Sequence, residues 1–209
     1  MDEEKQIRVM SVDDHPLLRE GIVAVVNSQK DMQIVAQAAT AREAVEQFRL
    51  HRPDVVLMDL RLPDMSGIDA MIAIREESPE AKVIMVTTVE GDAEIMRALA
   101  GGARGYVLKS MPPKELVEVI RQVNAGKKRI PSEVAARLAE HFDGDALTAR
   151  EVEVLAQVAS GNRNRDIADK LFITEETVKV HIKHIMEKLD AKDRTQAVAI
   201  GIRRGIIHL

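Results

Sequence analysis

The chain has 209 residues, room for one large domain or two small ones, and its 31% charged and 45% hydrophobic residues are a globular balance. It holds no apolar run of about 18 residues, no secretory pattern in the acidic start MDEEKQIRVM and no cysteine, which argues against a membrane span, disulfides, thiolate zinc sites and cysteine nucleophiles and points to the cytoplasm. Aromatics are 2%, too few for base-stacking platforms, and the net charge is -6 over 1–125, 0 over 126–146 and +2 over 147–209, so two modules with different partners are expected.

Over 1–125, short β-branched runs alternate with helical periodicity. The runs are Ile7–Val12, Ile34–Ala38, Val55–Met58, Val83–Val86 and Tyr106–Leu108. Most are apolar on both faces, as a buried parallel sheet requires. Between and after them, helix faces are carried by Leu18, Ile22, Val25 and Val26, by Ala44, Val45 and Phe48, by Ile68, Met71 and Ile72, by Ile95, Met96 and Leu99, and by Leu116, Ile120 and Val123. Five βα units predict an α/β doubly wound five-stranded parallel sheet, because a closed barrel needs about 250 residues.

In such a sheet the ligand site lies beyond the carboxyl ends of the strands. The residues there are Asp13-Asp14 after the first run, Asp59 after the third, Thr87-Thr88 after the fourth and Lys109 after the fifth. Crowded carboxylates repel and call for a cation, and hard oxygen ligands suit Mg²⁺. A carboxylate beside a metal can attack phosphorus, with Lys109 countering the phosphoryl charge. Asp also follows strands merely to start turns or cap helices, and His15 is expected to be a turn residue, since Mg²⁺ prefers oxygen.

The segments VDDHPLLREGI, VVLMDLRLPDMSGID, VIMVTT and GYVLK, in this order and spacing, resemble a two-component receiver domain of the CheY-like kind. The resemblance implies that Asp59 accepts a phosphoryl group from a sensor histidine kinase. It implies Mg²⁺ held by Asp13, Asp14, Asp59 and the main-chain carbonyl of Arg61. It places the switch hydroxyl on Thr87 (with Thr88 one residue on as the alternative), the switch aromatic on Tyr106 and the phosphate-pairing lysine on Lys109. Many receivers follow that lysine with proline; here Ser110 follows.

Residues 126–146 form a linker in which 132–138 spell a short helix with Ser132 as its N-cap. Beyond 147 the pattern is all helical. Thr148 and Glu151 form a capping box, Val152, Leu155 and Val158 an apolar stripe, and Gly161 a stop. A second short helix spans 164–171, Thr174 caps a third running to about 189, and a fourth covers 193–203. Two short helices joined by a tight turn predict a helix-turn-helix. On the third, Val178, Ile182, Ile185 and Leu189 share one stripe, and Val180 falls opposite, between Lys179 and Lys183, where a solvated helix has no use for valine. A small apolar side chain flanked by lysines suits a major groove.

The stretch LTAREVEVLAQVASGNRNRDIADKLFITEETVKVHIKHIMEKL resembles the LuxR-type four-helix domain of NarL/FixJ response regulators. By that resemblance Lys179, Val180 and Lys183 read bases of double-stranded promoter DNA, Arg165, Lys188 and Arg194 contact its backbone, and Ala197, Val198 and Gly201 form a homodimer interface on activation. The domains expected are a receiver over 1–125, a linker over 126–146 and a LuxR-type helix-turn-helix domain over 147–209, with no membrane partner and no enzymatic activity. The main rival is a haloacid-dehalogenase-like phosphatase, which needs a second acid two residues after its Asp nucleophile; Arg61 stands there.

Overall fold

The computed structural model describes residues 6–88, 92–130 and 147–207, which fall into two compact units. Residues 6–124 hold β1 (Ile7–Val12), α1 (Pro16–Asn27), β2 (Met32–Ala38), α2 (Ala41–His51), β3 (Val55–Asp59), α3 (Gly67–Glu77), β4 (Val83–Thr87), α4 (Asp92–Ala100), β5 (Gly105–Leu108) and α5 (Pro113–Asn124), and all but the start of α4 belong to the first unit. The sheet order is β2-β1-β3-β4-β5 and every pairing is parallel. Every residue of β3 and β4 is buried, as helices on both faces demand. Val9, Leu57, Ile84 and Val107 pack with Ile22 and Val26 of α1 and Ile120 and Val123 of α5. Strand side chains alternate, so Met10, Met58 and Met85 bury against the opposite face.

The chain leaves β1 for one edge of the sheet and returns to β3 on its other side. That reversal opens a crevice beyond the carboxyl ends of β1 and β3, the strands that lead into Asp13 and end in Asp59. Two expectations shift. Met96 is exposed while Ile95 and Ala98 are buried, because the small alanine completes the buried face that a count of large apolar residues misses. The chain after α5 turns at Gly126 (φ 85°), and Arg129 bonds along β5 through Tyr106 N–H and Arg104 C=O, so the first unit runs past residue 125.

The second unit contains α6 (Ala149–Ala159), α7 (Asn164–Leu171), α8 (Glu175–Lys188) and α9 (Arg194–Arg203). Its starts follow capping chemistry. Thr148 and Glu151 bond reciprocally at α6, Thr174 accepts from Thr177 N–H at α8, and Asp193 accepts from Gln196 N–H at α9. Val154, Leu155, Val158, Ile167, Val178, Ile185 and Leu189 form the core. Ala197 and Gly201, expected at a dimer interface, point into it instead: Ala197 is buried, and a Cβ on Gly201 would meet Leu155 Cδ2 at 2.8 Å. Small residues sit there because α9 approaches α6 closely. The expected 132–138 helix lies outside the described residues.

Candidate functional site

Asp13 continues the β1 ladder through its N–H to Ala38 C=O (3.1 Å) and is almost wholly buried. Its Oδ1 accepts from His15 N–H at 2.8 Å, and its carbonyl accepts from Arg19 Nη1 at 2.6 Å. Lys109 Nζ lies 2.7 Å from Asp13 Oδ2 and 2.8 Å from Asp59 Oδ2, bridging the two acids. Asp59 Oδ1 accepts from Arg61 N–H at 3.3 Å. His15 Nδ1 stands 2.7 Å from Asp14 Oδ1 and 3.2 Å from Asp13 Oδ1. One atom each of Asp13, Asp14, His15 and Asp59 lie within 4.8 Å of one another, so groups from two strand ends meet in one place. Asp59, Arg61, Thr87, Thr88 and Lys109, with His15, Leu17 and Leu18, line a cleft of about 410 Å³.

The electrostatics follow from burial. Desolvation pushes the Asp59 carboxyl above its usual range, and the Lys109 hydrogen bond only partly offsets this. Desolvation pulls the Lys109 ammonium down, but the bonds from Asp13 and Asp59 outweigh it and hold it above its usual value. Two carboxylates share the Lys109 ammonium and Asp14 stands beside them, and a carboxylate set with excess negative charge fits a hard divalent cation. Of the two threonines, Thr87 is buried at the end of β4 and its carbonyl accepts from Lys109 N–H at 2.7 Å, while Thr88 is exposed. Tyr106 is fully buried, so its hydroxyl is not at the surface. The Lys109–Ser110 peptide is trans.

Two residues that sequence reasoning missed shape the loop after Asp59. Asp64 accepts from Ala41 N–H (2.8 Å) and Arg42 N–H (3.0 Å), tying the loop to the start of α2. Gly67 donates its N–H to Leu60 C=O at 2.9 Å, and a Cβ there would fall 1.8 Å from the Asp59 carbonyl oxygen.

In the helical unit, α7 and α8 are joined by Phe172, which is left-handed (φ 54°) and 94% exposed. Val180 is 46% exposed on α8. Lys179 pairs with Glu176 at 3.2 Å and Lys183 with Glu187 at 3.7 Å, exposed pairs worth little and easily exchanged for another anion. Arg165 is exposed, and Arg194 Nη2 donates to Asn162 C=O at 3.1 Å. Lys188 differs from the rest: its Nζ lies 2.7 Å from the buried Glu151 Oε2.

Residues 9–121 match the family model described as the response regulator receiver domain, and residues 145–200 match that of bacterial regulatory proteins of the luxR family. The chain belongs to the LuxR-type two-component response regulators. The regulator is 39% identical over 214 residues to the uncharacterized transcriptional regulatory protein YxjL of Bacillus subtilis, covering 97% of this chain and 98% of that one. It is 35% identical over 207 residues to the response regulator protein VraR of Staphylococcus aureus, covering 97% and 99%. The two-component response regulator RcsB in a DNA complex superposes with a TM-score of 0.70 at 25% identity, over 95% of this chain and 99% of that one. This family consists of transcriptional regulators, so the phosphatase alternative falls. The acidic pocket of the regulator is of the kind at which receiver domains bind Mg²⁺. Among its described residues no helix is long and apolar enough to cross a membrane.

Proposed function

We propose that the regulator takes a phosphoryl group from a sensor histidine kinase onto Asp59 and that this promotes dimerisation and binding of its helical domain to double-stranded promoter DNA in the cytoplasm. The observation that carries the reading is the meeting of Asp13, Asp14, Asp59 and Lys109 in one crevice. A carboxylate oxygen of Asp59 forms the new P–O bond while the P–N bond of the kinase phosphohistidine breaks and the imidazole nitrogen keeps the electron pair. Asp13, Asp14, Asp59 and the Arg61 carbonyl would hold Mg²⁺, which when bound neutralises phosphoryl charge. Lys109 pairs with a phosphoryl oxygen, and Thr87 donates to another as Tyr106 repacks. Incubation with labelled acetyl phosphate or kinase tests this: label is expected on the wild type and absent from Asp59→Ala, and label surviving on that variant refutes the assignment.

On α8, Val180 contacts a thymine methyl while Lys179 and Lys183 give up their surface partners for guanine edges or phosphates, with Arg165 and Arg194 on the backbone. The match to the RcsB–DNA complex supports a DNA partner. Lys179→Ala is expected to weaken operator binding and alter base preference in a gel-shift titration. The second copy meets the outer side of α9, where Thr195, Ala199 and Ile202 are exposed and Val198 is half-buried beside them, since Ala197 and Gly201 face the core. The receiver, linker and DNA-binding domain divide a few residues past 125 and near 147, a division that the Arg129 pairing on β5 and the matched spans 9–121 and 145–200 support.

A further inference from the structure

Glu151 is 4% exposed at the start of α6. One of its oxygens, Oε2, takes three donors: Thr148 N–H at 2.7 Å, the Thr148 hydroxyl at 3.0 Å and Lys188 Nζ at 2.7 Å. The first two belong to the α6 cap, which is complete without a cation. The third crosses to the last turn of α8. Lys188 is drawn inward by it, with 28% of its side chain exposed against 53% for Lys179 and 72% for Lys183. One buried carboxylate thereby fixes the beginning of one helix and the end of another.

We infer that Glu151 and Lys188 form a brace that sets the tilt of α8, making both positioning residues for DNA recognition, and that Lys188 is not a phosphate contact. The inference rests on the DNA-binding reading above. Val180 lies eight residues before Lys188, about 12 Å along the helix axis. A tilt of about 10° about the braced end would move Val180 and its neighbours by roughly 2 Å, beyond hydrogen-bond tolerance at a base edge. The core residues Val178 and Ile185 hold α8 against its neighbours, while the brace is the charged tie at its far end.

The test uses the full chain with Mg²⁺ and beryllofluoride, titrated against a duplex selected by the wild type over a range of salt concentrations. The variants are Lys188→Met, which keeps the aliphatic stem, Glu151→Gln, and the double. Each single variant is expected to weaken binding about tenfold at fixed salt, to leave the slope of log affinity against log salt unchanged, and to be matched by the double. A Lys188→Met slope smaller by about 0.9, with Glu151→Gln binding normally, would make Lys188 a phosphate contact and overturn the brace. Weakening seen only in variants whose thermal melt has reached the assay temperature would also overturn it. If Glu151→Gln does not fold, the affinity and slope of Lys188→Met decide alone. Failure of the wild type to bind any duplex removes the underlying DNA reading, and is seen without any variant.

Discussion

At Asp59 two opposing effects meet. Burial disfavours its charge, Lys109 favours it, and burial wins, since the carboxyl is held above its usual range. An acid whose folded value is raised costs stability wherever it is ionised, so neutral pH is the unfavourable side. Asp59→Asn should therefore stabilise the metal-free protein at neutral pH, with Lys109 still paired to Asp13. Adding Mg²⁺ should raise the melting temperature of the wild type more than that of the variant. A lower melting temperature for metal-free Asp59→Asn would show that the Lys109 pair outweighs desolvation. Gly67 gives a sharper case, because a methyl group 1.8 Å from the Asp59 carbonyl oxygen forces α3 to move. Gly67→Ala should cost about 3 kcal/mol or more by denaturant titration, and should weaken beryllofluoride binding through the displaced Asp59 backbone. The carboxylates and Lys109 were legible in the sequence because strand ends are local and their chemistry is distinctive. Gly67 and Asp64 were not, because one is defined by a close approach and the other by donors at the start of a different helix, 22 and 23 residues away.

Elements were legible wherever periodicity had a partner to bury against. The strands appear at the expected places: β1 is unchanged, β2 and β5 begin two and one residues earlier, and β3 and β4 each run one residue further, onto Asp59 and Thr87. Caps were legible for the same local reason at Thr148 and Thr174, which both bond N–H groups of their helices, while Asp193, read only as the start of the fourth helix, is its cap. Faces made of small residues were not: Ala197 and Gly201 carry too little apolar surface to declare which way they point, and only the approach of α6 decides it. The α6 cap also has a pH consequence. Burial pushes the Glu151 carboxyl up, but Lys188 and the Thr148 donors outweigh it and hold it below the usual value of 4.5. A depressed acid contributes in full above its unfolded value and loses that contribution as pH falls through the folded one. The helical unit should therefore lose stability progressively below about pH 4.5, and Glu151→Gln should flatten that part of the melting-temperature profile. An unchanged profile would mean that Glu151 is as well solvated in the folded protein as in the unfolded chain.

Across the whole molecule, the two halves have unlike charge. Residues 1–125 carry -6 and 147–209 carry +2, so the receiver sequence repels nucleic acid while the helical sequence weakly attracts it. Phosphorylation adds up to about two further negative charges, so direct attraction to DNA cannot be what activation improves. The gain has to come from a change in which surfaces are available or in how many copies bind together. Two half-site contacts joined in a dimer raise affinity without any new contact to DNA. On the reading proposed above, the exposed side of α9 around Ala199 and Ile202 is where the second copy would bind. Light scattering should accordingly show a larger dimer fraction with beryllofluoride and Mg²⁺ than without. Operator affinity should rise at least tenfold over the same concentration range, a shift of about 1.4 kcal/mol. If dimerisation drives the gain, the salt slope should also steepen, because the dimer neutralises more phosphates than one copy does. Equal affinity and equal slope in both states would make the regulator a constitutive binder, its acidic crevice disconnected from its helices.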